Sequence, residues 1–354
     1  MIRILYLFMG VLLLIVISCK QQTPSDLANP QENNLDMTNY KTIGNIERID
    51  AAIDKLIPKD AKIEILASGF VWSEGPVWVS ELDALLFCDI PPNRIHMWKE
   101  GLTEAPVYLS PSGYTSDVKR GGEVGSNGLI VNNERKLVLC QHGDRRIASL
   151  DAPWDAAKPN YQTIADKFEG KRFNSPNDII QKSNGDYYFT DPPYGLEHQM
   201  EDPTKEIDYQ GVFKCDTNGE VTLLTKTMTR PNGLAFSPDE KTLYIANSDP
   251  AVAVWNAYDV EANGSISNER VFYDATGRPG KGLPDGMKID KQGNIFATGP
   301  GGVYVMDAKG QLLGIINTTE ATSNCAFGGK DKDYLYMTCD MHLMRIKLST
   351  AGAI

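Results

Sequence analysis

One pattern occurs six times along this chain and leaves few folds open to it. A turn carrying an acid or an amide leads into an apolar strand, and a second apolar strand follows. The copies read SEGPVWV…ALLFCDI, SNGLIVN…LVLCQH, PNDIIQK…DYYFTD, PNGLAFS…TLYIAN, PDGMKID…NIFATG and SNCAFGG…YLYMTC. The residue at the repeated position is Glu74, Asn127, Asn177, Asn232, Asp285 and Asn324, with successive spacings of 53, 50, 55, 53 and 39 residues. A period near 50 with several short strands per unit is the sequence sign of a β-propeller. The expected fold is therefore all-β, a six-bladed β-propeller over residues 62–354. In such a fold equivalent positions surround one axis, so the six polar side chains should converge.

Complete units divide into four strands separated by turn signals such as SNG at 183–185, TNG at 217–219 and KQG at 291–293. The last unit is one strand short. An unassigned strand, KIEILA at 62–67, precedes the first. Pairing the two closes the ring and removes exposed edges. Second strands should end on the face that carries the ring, which places Asp89, His142, Asp191, Asn247 and Asp340 there. Two long connections, 111–126 and 192–210, fall on that face. They read either as loops that serve the site or as tolerated surface insertions.

Length alone would admit two domains, but one propeller consumes most of the 354 residues. A net charge of -11 argues against nucleic-acid binding. Arg3 followed by LYLFMGVLLLIVI and Ser18-Cys19 reads as a signal peptide over 1–19. Val16-Ile17-Ser18-Cys19 resembles a bacterial lipobox, which implies lipidation at Cys19. The expected location is then the bacterial cell envelope, exported and lipid-anchored, with Lys20 favouring the outer membrane. Residues 20–42 are polar and read as a tether. Ile46, Ile49, Ile53 and Leu56 share one helical face, so a short helix is expected over 45–57, within a 43–61 segment. Cys88, Cys140 and Cys339 occupy equivalent second strands as small core residues. Cys325 and Cys339 lie in neighbouring strands, close enough to pair or remain free.

A hard divalent cation takes oxygen ligands, partly carboxylate and partly neutral. The ring offers two carboxylates, Glu74 and Asp285, and four amides. The bland alternative is that Asn127, Asn232 and Asp285, each followed by Gly, are turn residues. His142 is the one histidine at a repeated strand end and is a candidate substrate contact. A serine-hydrolase site has no support, since no G-x-S-x-G occurs.

With these residues in view, the chain resembles the gluconolactonase/regucalcin family of six-bladed propellers, and its bacterial gluconolactonase-like branch in particular. The motifs are SEGPVW at 73–78, SPNDI at 175–179, FTDPPYG at 189–195, RPNGLAFSPDEKTLY at 230–244, LPDGM at 283–287 and NCAFGG at 324–329. The resemblance implies a metal-dependent lactonase acting on a small-molecule sugar lactone. It implies one divalent metal ion, calcium first, with zinc, manganese and magnesium as alternatives. Glu74, Asn177, Asn232 and Asp285 are the implied metal ligands. Asp285 is the expected general base, with His142 its rival. Asn127, His142, Asp191, Tyr194 and Asn324 are second-tier substrate contacts. The competing functions are an aryl esterase or phosphotriesterase at the same site, and a non-catalytic binding propeller.

Overall fold

The computed structural model describes residues 40–353. Six antiparallel blades follow one another along the chain, with a two-stranded ribbon, Lys167–Phe168 with Lys171–Arg172, between the second and third; blades 1 to 4 have their strands in sequence order, and blades 5 and 6 each take in strands from the N-terminal segment. Blade 1 runs Ser73–Val79, Ala84–Asp89, Arg94–Trp98 and Val107–Leu109. Blade 3 runs Ile179–Gln181, Tyr187–Asp191, Gly211–Cys215 and Val221–Thr225. Blades 2, 4 and 5 repeat this plan from Ser126–Val131, Pro231–Phe236 and Met287–Ile289. Blade 6 holds Thr322–Gly328, Tyr334–Cys339 and His342–Lys347, and its fourth strand is Ile63–Ser68. That strand pairs antiparallel with His342–Lys347, from His342↔Ser68 to Ile346↔Ile63. The two ends of the propeller thus join within one sheet, as the missing strand required.

The second strands read as continuous apolar runs because both of their faces are covered. All six residues of Ala84–Asp89 are buried. Between blades 1 and 2, Val79, Leu86, Cys88 and Ile95 pack against Leu129, Leu137 and Leu139. Between blades 3 and 4, Tyr188 and Val212 meet Leu234, Phe236, Leu243 and Ile245. At the closure, Trp78 of blade 1 stacks on Tyr336 of blade 6 at 5.6 Å. Outer strands need no such continuity: Ile266–Asp274 is mostly exposed. The five cysteines of the described residues are buried and free, Cys325 and Cys339 included.

The N-terminal segment departs from expectation. The helix is a short 3-10 turn, Ala51–Lys55, capped by Asp50, which accepts the Ala52 N–H at 2.8 Å. Asn45–Arg48 is instead a strand on the outer edge of blade 5, paired with Leu312–Asn317. Lys41–Ile43 lies on the outer edge of blade 6, paired with Ile63–Ser68. The segment therefore bridges two blades, and the tether expected over 20–42 loses its last residues to the fold. Gly44, between the two strands, has φ +67°, and a Cβ there would lie 1.9 Å from the Asn317 carbonyl oxygen. Ile53 and Leu56 are buried against Phe296, Val303 and Met344, whereas Ile49 is 50% exposed. A helical pattern yielded because two open sheet edges offered backbone partners that a four-residue stretch of helix could not match. The signal peptide, Cys19 and most of the tether lie outside the described residues.

Candidate functional site

The six repeated side chains do meet at the axis, and local geometry explains why. Glu74, Asn127 and Asn232 lie inside innermost strands, beside register breaks at Glu74/Val77, Ser126/Leu129 and Pro231/Leu234. Asn324 follows the equivalent break at Thr322/Asn324. A bulge of this kind re-aims a side chain out of the alternation of the strand. The glycines that follow are thus not hairpin-turn residues. Gly75, at φ +53°, would place a Cβ 1.9 Å from the Asn127 carbonyl oxygen, so the next blade can close in only on a bare backbone.

Three amides form a chain around part of the ring. Asn127 Nδ2 donates to Asn177 Oδ1 at 2.7 Å, and Asn177 Nδ2 donates to Asn232 Oδ1 at 2.6 Å. His142 Nε2 stands 3.0 Å from Asn177 Oδ1. The carboxylates complete the circle. Glu74 Oε2 accepts the Gly75 N–H at 2.7 Å. Burial pushes Glu74 upward from the usual carboxylate range, and Asp178 and Glu123 add to the rise. Asp285 is pushed up by burial and then by the charges of Glu74, Asp178 and Glu123. Asn324 works from behind, its amide favouring the ionised forms of both Glu74 and Asp178, and its Oδ1 accepts the Cys325 N–H at 2.9 Å.

This arrangement fits a cation. Asp285 Oδ1 and Asn127 Oδ1 are sealed from solvent with no hydrogen-bond partner. Two buried carboxyls that are both pushed up, Asp285 in part by the charge of Glu74, are relieved by one positive charge between them. Among the described residues no three Asp, Glu, His or Cys side chains gather as a ligand set. A cation here would be held by Glu74 and Asp285 together with amide oxygens. As oriented, Asn177 turns its oxygen to Asn127 and His142, so ligation by Asn177 requires its amide to turn over, a rotation that keeps its shape.

A pocket of about 360 Å³ opens over the ring, lined by Glu74, Asn127, Asn177, Asn232 and Asp285 and beyond them by Trp72, Glu123, Tyr194, Arg230 and Ser248. Tyr194 is raised by burial and by Asp285, and Ser248 hydrogen-bonds to it. Three of the expected substrate contacts are outside the pocket lining, Asn324 behind Glu74 being the first. His142 is fully buried behind Asn177, and burial draws its pKa down to about 4. Asp191 is also fully buried: its oxygens accept the N–H groups of Asn174 at 2.7 Å and Ser175 at 2.8 Å, bracing the segment that carries Asn177. Asp89 does the same for Val71 and Trp72, at 3.0 and 2.9 Å, and Asn247 for Arg230 at 2.8 Å. The repeated strand-end residues in these three blades are braces for the ring.

The long connections are built into the pocket. Loop 111–126 is held by Asn93 Oδ1, which accepts from Gly113 N at 2.7 Å, and by Arg120, which donates to Gly195 O at 2.7 Å and Gly143 O at 3.0 Å. It supplies Glu123, whose side chain is 38% exposed and whose carboxyl is raised to about 7 by burial in the pocket wall. Loop 192–210 supplies Tyr194. Glu123, Arg230 and Trp72 were absent from the residues singled out in the sequence. Trp72 and Arg230 each stand within two residues of a ring position, which was the available signal. Glu123 has no counterpart in the repeat.

Residues 72–340 match the SMP-30/Gluconolactonase/LRE-like region. The chain belongs to this family. It is 39% identical over 336 residues to a gluconolactonase of Zymomonas mobilis, covering 92% of this chain and 91% of that protein. The solved gluconolactonase of Xanthomonas campestris superposes with a TM-score of 0.73 at 30% identity, over 87% of this chain and 96% of the other. A calcium-binding protein, regucalcin of Agrobacterium tumefaciens, shares the fold with a TM-score of 0.61 at 18% identity, over 80% and 96%.

Proposed function

We propose that this protein is a lactonase that opens a sugar lactone in the axial pocket with the help of one divalent cation, calcium first. The family and the gluconolactonase relatives support the reaction. The observation that carries the cation is the meeting of Glu74 and Asp285, two buried carboxyls both pushed upward, with the unpartnered oxygens Asp285 Oδ1 and Asn127 Oδ1. Calcium is favoured by all-oxygen donors and by the calcium-binding relative of the same fold. Glu74, Asn177, Asn232 and Asp285 would hold it.

A bound cation would polarise the lactone carbonyl, stabilise the oxyanion and lower the pKa of a water. The chain's own groups do the rest. Asp285, which lines the pocket, would take the proton of the attacking water and pass it to the ring oxygen as the C–O bond breaks. His142 is the poorer base, because it is sealed behind Asn177 and spends Nε2 on that amide. Asn127 stands beside Asn177, and Tyr194 and Trp72 line the pocket wall. The product is the open-chain hydroxy acid.

The test is proton release from glucono-1,5-lactone after chelation, and again with calcium, zinc, manganese and magnesium restored singly. Activity lost on chelation and regained with a metal is the expected result. Hydrolysis indifferent to chelation would remove the cation from the mechanism, and no hydrolysis at all would remove the substrate. We also propose that the protein is exported and anchored through a lipidated Cys19, supported by the apolar run before Ser18-Cys19. Cys19→Ala should move it from the membrane to the soluble fraction; unchanged fractionation would reject the anchor.

A further inference from the structure

With the ring set aside, two side chains of opposite charge type in the wall of the axial pocket make no side-chain hydrogen bond among the described residues, although the charge of Arg230 reaches Asp249 and Tyr194. Glu123 and Arg230 both line it. Arg230 is engaged through its backbone only: its N–H reaches Asn247 Oδ1 at 2.8 Å and its carbonyl accepts from Ser248 N at 2.8 Å. Its guanidinium has no hydrogen bond and no ion pair among the described residues. The Glu123 carboxylate accepts no hydrogen bond there either. Its nearest basic atom is Nδ1 of His142 at 3.8 Å, on a ring kept neutral by burial. Neighbouring arginines on this face are engaged, Arg120 with two carbonyl oxygens and Arg146 with Asp144 at 3.0 Å.

Both groups are placed rather than loose. Glu123 lies between Arg120, fixed to Gly195 and Gly143, and Gly125, whose N–H reaches Ile90 O at 3.0 Å. Arg230 leads directly into Pro231–Phe236, the strand that carries Asn232. No ion pair joins the two, and both line the same pocket.

A carboxylate only accepts and a guanidinium only donates, whereas a hydroxyl does both. One uncharged ligand with several hydroxyls can satisfy both walls at once. A phosphorylated or carboxylated ligand would be opposed by Glu123, and an amine by Arg230. Trp72 and Tyr194 offer aromatic surface to the C–H faces of such a ligand.

We propose that Glu123 and Arg230 are the specificity pair of this pocket, reading the hydroxyls of an uncharged, polyhydroxylated lactone. The inference rests on the lactonase reading of the site. A pocket built to hydrogen-bond hydroxyls discriminates strongly against an analogue without them, because its polar groups are then left unpaired.

The experiment compares kcat/KM of the wild type, Glu123→Gln and Arg230→Lys on glucono-1,5-lactone and on δ-valerolactone, the same ring without hydroxyls. Glu123→Gln keeps the shape and removes the charge, and Arg230→Lys keeps the charge and removes the fork. Each should lower the ratio of hydroxylated to bare lactone by about tenfold or more, chiefly through KM, as loss of a charge-assisted hydrogen bond predicts. Binding of glucitol, a hydroxylated chain without an ester, followed by calorimetry, should weaken in the same variants. If both lactones decline in parallel, or the ratio holds in both variants, the pair does not read hydroxyls. A wild type that hydrolyses neither lactone would instead sink the lactonase reading, and the pair with it.

Discussion

Asp191 sets two effects against each other, and its substitution by Asn measures which one wins. Its carboxylate accepts two backbone N–H groups, from Asn174 and Ser175, which favours the ionised form. It is also completely buried, which favours the neutral form. Burial prevails, and the pKa rises from 3.8 to about 7. The folded chain therefore holds this proton more tightly than the unfolded chain does. Stability from this group is fully present below about pH 4, the unfolded value, and is lost as pH rises through about 7. Each unit of that window is worth about 1.4 kcal/mol, and allowing for partial titration at both ends gives about 3 kcal/mol lost between pH 4 and pH 7. Asp191→Asn removes this slope. It also loses one of the two N–H bonds, a penalty of about 1–3 kcal/mol that does not vary with pH. Urea unfolding of both proteins at pH 4, 5, 6 and 7 should show the wild-type advantage shrinking by about 3 kcal/mol across the series. A flat difference, or an advantage that grows with pH, would mean that the two backbone donors outweigh burial.

Other expectations follow from the ring and the N-terminal bridge. Asp285→Asn should abolish lactone turnover and weaken cation binding, and full activity in that variant would reject both roles of Asp285. Chelation should lower the midpoint of thermal unfolding and calcium should restore it, because a cation relieves Glu74 and Asp285 only in the folded ring; a midpoint blind to both would argue that the ring holds no cation. Gly44→Ala should release Lys41–Ile43 and Asn45–Arg48 from their blades, since its left-handed backbone disfavours alanine by about 1–2 kcal/mol before the clash with Asn317 is counted. Limited proteolysis would then cut near residues 41–48, where wild type resists, and equal resistance in both would refute the bridge.

The repeat made the propeller legible because six copies of one turn–strand–strand unit admit only an arrangement around an axis. It made the ring legible too: Glu74, Asn177, Asn232 and Asp285 occupy equivalent places, and equivalence in a propeller is convergence. The closing strand Ile63–Ser68 followed from counting, since the last unit lacked a partner. The pattern Ile46, Ile49, Ile53, Leu56 misled because a period of 3.6 describes which residues seek burial and not which edges stand open nearby. His142 and Asp191 were placed on the right face but at the wrong depth, one behind Asn177 and the other beneath the segment it braces.

What this sequence settles by itself is whatever its own repetition settles: the number of blades, the face that carries the site, and the oxygen-rich character of the axis. These depend on periodicity and residue type, which are local. What only tertiary structure decides is how atoms from different blades share the centre. Asn324 supports Glu74 from behind, Gly75 admits the Asn127 backbone, and Glu123 arrives from a loop with no counterpart in any other blade. Such contacts join residues some 50 to 250 positions apart, as Asn127 to Asn177 and Glu74 to Asn324 are. Their geometry follows from how the blades pack and how the loops are pinned, and no local pattern encodes it.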